Sequence, residues 1–246
     1  TVLGTNFLAT AVCKFGSSPP VAATYVSATM IVCASTTAAA GTSKLSVSNN
    51  NHTFSTTSAQ YRYYTPPAVS VLVPTNGPLT GSTVVMVNGS NFINSNQLMC
   101  KFGTLASTVA TWYSASVLQC YSPSSALLGT VALEVTNNNQ DFTSNAVPFL
   151  FASVPTLLSA APSNAPVTGG TLVTINGTNF LSTAVCRFAD VVARSTVISS
   201  SQIQCLTPSM SVGTVAITSS NNLADYSNTS VSLEVQDIMS VAAVVP

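Results

Sequence analysis

The chain has 246 residues and is 46% hydrophobic, ample for packed cores, yet it carries only six Lys+Arg and six Asp+Glu, 5% charged where an average soluble protein has about 25%. A net charge of zero with scattered cations removes the footprint of nucleic-acid or anionic-membrane binding, so the exterior must be hydroxyls, amides, attached sugar or neighbouring protein. The most apolar stretch, VPFLFASVPTLLSAAP, is broken by Pro148, Pro155 and Pro162 and is too short to span a bilayer, so no membrane insertion is expected.

The chain opens at Thr1 with neither an initiator Met nor a signal peptide and reads as a segment of something longer. TVLGTNF at 1–7 comes first, followed by Cys13-Lys14-Phe15, a second cysteine in VCAS, the hairpin KLSVSNNNHTFS and a closing strand in AQYRYYT. AVSVLVP, ending at Pro74, precedes MVNGSNF at 86–92, Cys100-Lys101-Phe102, QCYSP, TVALEVTNNNQDFT and AVPFLF. TLLSAAP, ending at Pro162, precedes TINGTNF at 174–180, Cys186-Arg187-Phe188, QCLTP, TVAITSSNNLADYS and VSLEV. MSVAAVVP then ends at Pro246. Within each unit, short runs rich in Val, Thr, Ile and Ser alternate with period two between Gly, Pro and Asn clusters. That pattern predicts strands and no helix, about seven strands in each unit of roughly 85 residues. The lone Trp112 does not have the central spacing of antibody domains.

The G-T/S-N-F turn, the C-K/R-F strand, the C-x-x-P segment and the NN hairpin resemble IPT/TIG domains over nearly the whole chain. Such domains occur in plexins, in microbial surface proteins and in Rel-type transcription factors. The resemblance implies an all-β chain of three tandem immunoglobulin-like sandwiches of the E-set type in a rod-like array. It implies an interaction role without naming a ligand. The expected bodies are 1–65, lacking its opening strand, 66–152 and 153–236, with 237–246 an opening-strand segment for a following repeat or a neighbouring subunit.

Two cysteines per repeat at matching positions give Cys13 with Cys33, Cys100 with Cys120 and Cys186 with Cys205 as the simplest pairing, with buried free thiols as the alternative. Each bond would close a loop of about 20 residues and contribute roughly 3 kcal/mol. No repeat adds a His or a third Cys to its cysteine pair, which argues against metal. Persistent disulfides imply an oxidising compartment, extracellular or at the cell surface. Sequons at Asn51, Asn88, Asn176 and Asn228 agree, and covalent glycans there would add polarity. Asn88 and Asn176 are equivalent and should face outward, since Val85, Val87, Val173 and Ile175 face inward; Leu3 takes that place in the first repeat.

Three bodies and three opening strands exist, shifted by one. Either these residues are a window of a longer polypeptide, or Ile238, Met239, Ser240, Val241, Ala242, Ala243, Val244, Val245 and Pro246 complete the first sandwich of the next molecule, head to tail.

Catalytic inventory is lacking. His52 sits in an Asn-rich hairpin, Glu134 and Glu234 lie in different repeats, and Asp141 and Asp225 read as turn residues. NNNQD offers too few carboxylates for tight calcium binding, and no cofactor is expected. Lys14, Lys101 and Arg187 read as a stripe for acidic glycans or as stems lying over apolar surface. Tyr61-Arg62-Tyr63-Tyr64 reads as a carbohydrate platform or as a closing strand that buries two of its aromatics. The leading expectation is a structural glycoprotein that self-associates into a fibre or surface appendage. The alternatives are a plexin-like receptor or adhesin ectodomain holding a protein partner, or a carbohydrate-binding accessory module with a glycan ligand.

Overall fold

A computed structural model describes residues 1–240, so Val241 to Pro246 of the expected donated strand lie outside the described residues. Every regular element among the described residues is a strand. The chain divides into two compact units, Thr1–Pro66 and the remainder from Pro67 onward.

The first unit contains β1 Val2–Leu3, β2 Val12–Phe15, β3 Val21–Ser27, β4 Met30–Cys33, β5 Gly41–Ser48 and β6 Ala59–Tyr63, hydrogen-bonded in the order β1-β4-β3-β2-β5-β6. β3 belongs to both layers. Its start pairs with β2 through Val21 and Ala22, and its later part pairs with β4 from Ala23 onward. Phe7, Ala11, Cys13, Phe15, Ile31 and Leu45 form the core.

The second unit holds two bodies. One consists of β7 Ala68–Val73, β8 Asn76–Gly77, β9 Val84–Ser90, β10 Met99–Phe102, β11 Thr108–Val109, β12 Thr111–Ser114, β13 Val117–Tyr121, β14 Gly129–Thr136 and β15 Val147–Phe151. They form a four-stranded sheet β12-β13-β9-β7 and a five-stranded sheet β11-β10-β14-β15-β8. The other consists of β16 Thr156–Ala161, β17 Asn164–Pro166, β18 Leu172–Thr178, β19 Val185–Phe188, β20 Val191–Ala193, β21 Ser195–Ser199, β22 Gln202–Leu206, β23 Gly213–Ser220 and β24 Val231–Gln236. Its sheets run β16-β18-β22-β21 and β17-β24-β23-β19-β20. Each body has nine strands rather than about seven, because a short edge segment after the opening strand (β8, β17) pairs in parallel with the closing strand, and the segment after the C-K/R-F strand is shared between sheets.

Period-two alternation produces the cores. Val85, Val87, Cys100, Phe102, Leu118, Cys120, Leu133 and Val135 are wholly buried in one body; Val173, Ile175, Cys186, Phe188, Ile203, Cys205, Ile217 and Leu233 are wholly buried in the other. Phe102, Phe149 and Phe151 meet edge to face, with centroids 5.1 and 5.2 Å apart for the closer pairs. The disulfides tie one sheet to the other: Cys100 on β10 joins Cys120 on β13, and Cys186 on β19 joins Cys205 on β22, each with Cα atoms 6.3 Å apart. Cys13 joins Cys33 in the first unit. Trp112 lies partly buried against the second core, its Nε1 donating to Phe92 O.

Candidate functional site

The thrice-repeated motif is a loop built from three special positions. A Cβ on Gly4, Gly89 or Gly177 would stand 2.6, 2.6 or 2.8 Å from the ring of Phe7, Phe92 or Phe180, so each glycine is the floor on which its phenylalanine folds back. Between them Asn6, Asn91 and Asn179 take φ of 60°, 61° and 63°, the left-handed region that asparagine tolerates.

The NN hairpin then divides its labour. The first Asn of each pair clamps the motif loop: Asn49 Oδ1 accepts from Leu8 N and its Nδ2 donates to Asn6 O, as Asn137 does with Ile93 N and Asn91 O, and Asn221 with Leu181 N and Asn179 O. The second Asn holds the turn: the Oδ1 atoms of Asn50, Asn138 and Asn222 each accept two backbone N–H bonds from the residues that follow. Four positions after that second Asn stands an aromatic ring on which the basic residue lies: Lys14 over Phe54, Lys101 over Phe142 and Arg187 over Tyr226, at 5.3, 5.4 and 3.7 Å. The basic stripe is therefore engaged with its own hairpins, a pairing that recurred in the sequence but whose partner had to be seen in space.

The sequons are spread along the chain. Asn51, Asn176 and Asn228 are exposed and Asn88 is half-buried. Asn176 already bonds Ser159 and Gln202 across the outer sheet face. His52 is exposed, its backbone N–H donating to Asn50. Glu134 accepts from Thr143 Oγ1 and Ala146 N, and Glu234 accepts from Thr214 Oγ1. Among the described residues no three His, Cys, Asp or Glu gather as metal ligands.

Two places bear on contact between sandwiches. The first is in the first body. β1 pairs only with β4 among the described residues, and a groove of about 340 Å³ runs beside it, lined by Val2, Leu3, Phe7, Leu45, Val47 and Ala59. In the other bodies β7 and β16 pair with β9 and β18, the strands that carry the motif glycine. The core records the difference: Tyr61 is 36% exposed where Phe149 and Leu233 are 0%, although it packs edge to face on Phe15 at 5.0 Å. Tyr63 is half-buried, so neither aromatic is sealed as Phe149 and Phe151 are.

The second is the junction between the second and third bodies. Asp225 Oδ2 accepts from Thr83 Oγ1 at 2.8 Å, Asn222 Nδ2 donates to Asn76 O at 2.9 Å, and Asn76 Nδ2 donates to Asn221 O at 3.4 Å. The third hairpin thus seats on the edge of the second body, leaving Asn76 only 7% and Thr83 1% exposed. A Cβ at Gly77 would stand 2.4 Å from Thr83 Oγ1, so glycine makes room for the hydroxyl that reaches Asp225. Asp225 serves its own turn, as its place in the hairpin predicts, and also bridges two bodies.

Comparison with known proteins agrees with the repeat. The IPT/TIG domain family matches residues 1–63, 67–151 and 155–235. Plexin-2 of Caenorhabditis briggsae is 27% identical over 107 residues, which are 44% of this chain and 6% of Plexin-2. Among solved structures, the full extracellular region of plexin A4 aligns with 82% of this chain and 18% of its own at 19% identity and a TM-score of 0.47. The Bacteroides ovatus protein SGBP-B, solved with a mixed-linkage heptasaccharide, aligns with 93% of this chain and 60% of its own at 16% identity and a TM-score of 0.32. The chain therefore spans a small part of the plexins that it matches.

Proposed function

Because the chain belongs to the IPT/TIG domain family through each of its three bodies, we propose that it is a structural, non-enzymatic glycoprotein of the extracellular space or cell surface whose copies join head to tail by strand addition. The observation that carries the reading is the exposure step between equivalent core positions, 36% at Tyr61 against 0% at Phe149 and Leu233. A strand laid beside β1 would find backbone donors and acceptors together with Val2, Phe7, Leu45 and Val47, and would bury both. Ile238 to Pro246 repeats the pattern of β7 and β16 with their closing proline, and we assign that segment of one copy to the groove of the next. A contact between two different surfaces of one chain need not close, so it grows into a fibre. The three disulfides support an oxidising compartment, and glycans at Asn51, Asn88, Asn176 and Asn228 would supply the polarity that so few charges leave wanting.

Negative-stain microscopy tests the reading. The full chain is expected to form filaments, and removal of residues 238–246 is expected to leave dispersed particles. Filaments of undiminished length from the shortened chain would exclude the strand. The identity shared with Plexin-2 favours a second reading, a receptor or adhesin ectodomain that holds a protein partner, in which case the full chain stays dispersed.

A further inference from the structure

We infer that the edge of the third body at Asn164 is the seat of a second copy's first-body hairpin, which docks there through Asn49 and Asn50. The inference rests on the head-to-tail reading and names the contact that would accompany the donated strand.

The template is the junction already inside the chain. There the hairpin of the following body sits on the edge of the preceding one through Asn221 and Asn222 against Asn76. The third body carries the same edge: T-N-G-P-L-T-G-S-T at 75–83 recurs as S-N-A-P-V-T-G-G-T at 163–171. It is also built alike. Leu150 N donates to Thr75 O as Glu234 N does to Ser163 O, and Thr83 N donates to Ser122 Oγ as Thr171 N does to Thr207 Oγ1. Asn76 is covered, whereas Asn164 is exposed with no side-chain partner among the described residues.

The first-body hairpin has the matching vacancy. In the other two hairpins the amide of the second Asn is held by an aspartate three residues on, Asn138 by Asp141 and Asn222 by Asp225. Thr53 stands at that position in the first hairpin, so Asn50, which is exposed, keeps its Nδ2 donors for something else. The aspartate bond has lost its acceptor on this side, Thr53 standing for Asp225, while Thr171 keeps the place of Thr83 beside Ala165 instead of Gly77. Where the edge has Ala165 instead of Gly77, a methyl occupies the space that Thr83 Oγ1 uses, and the hairpin we assign to that edge lacks the acidic residue. What remains is a pair of amide bonds, Asn50 Nδ2 to Asn164 O and Asn164 Nδ2 to Asn49 O.

The test measures the critical concentration for polymerisation of the full chain carrying Asn164→Ala, and separately Asn50→Asp, which keeps the Oδ1 that holds the turn but removes the amide donor. Each is expected to raise the critical concentration about fivefold, as loss of one partly buried hydrogen bond would. A rise of at least threefold in both supports the docking, and a smaller change in either overturns it while filaments still form. Failure of the unaltered chain to polymerise sinks the docking together with the head-to-tail reading.

Discussion

Thr83 and Asp225, separated by 142 residues of sequence, share a hydrogen bond of 2.8 Å that couples two sandwiches. Asp225 Oδ2 also accepts from Asn222 Nδ2 at 2.7 Å, so the carboxylate stiffens its own turn while holding the neighbouring body. Replacing Thr83 by Val removes the bridge and leaves the turn intact. The expected loss is about 1–2 kcal/mol, because the hydroxyl is buried and its acceptor is charged. Calorimetry should show the second and third bodies melting less cooperatively, and a single unchanged transition would refute the coupling.

Asn137 is 5% exposed, and its carboxamide both accepts from Ile93 N and donates to Asn91 O. Asn137→Ala leaves two backbone groups of the motif loop without their partner, at a cost of about 2–4 kcal/mol by urea denaturation. Asn138→Ala loses the turn bonds on a more exposed tip and should cost less.

At Gly89 a methyl group would lie 2.0 Å from Ala68 O and 2.6 Å from the Phe92 ring. Gly89→Ala must push β7 from β9 or dislodge the phenylalanine, and is expected to destabilise the body by about 3 kcal/mol or more. The equivalent change at Gly177 meets Thr156 O at 2.1 Å and Phe180 at 2.8 Å, so the two should match. Thermal melts of the paired variants check this.

Reduction of the three disulfides, each closing 19 or 20 residues, removes roughly 3 kcal/mol per body in the loop-entropy account. The first body, whose core is the least covered, is expected to unfold first on titration with reductant, and the fluorescence of Tyr61 and Tyr63 would report it.

Much of this architecture was visible as recurrence. Gly4, Gly89 and Gly177, the paired cysteines and the NN hairpins each appear in one order three times, because each does a local job within its own body. Even the rings beneath Lys14, Lys101 and Arg187 recur, four positions after the second hairpin Asn. The contact of Asp225 with Thr83 left no such trace. It is made between bodies, and the N-N-x-x-D pattern that carries it stands equally at Asp141, where the bond to Asn138 is local. Nor does alternation alone fix the burial of the closing strand: period two sets which way Tyr61 faces, and the neighbouring strand sets whether that face is covered, so Tyr61 is 36% exposed where Phe149 is 0%.

The hydrogen bonds that join the second and third bodies run from amide and hydroxyl donors to backbone carbonyls and one carboxylate, with no ion pair among them in the described residues. At 0.1 M, mobile ions screen the attraction between opposite charges more than about 10 Å apart, and a carboxylate held at contact by uncharged donors gives them little to screen. The stiffness of that joint should therefore be the same in rainwater as in brine.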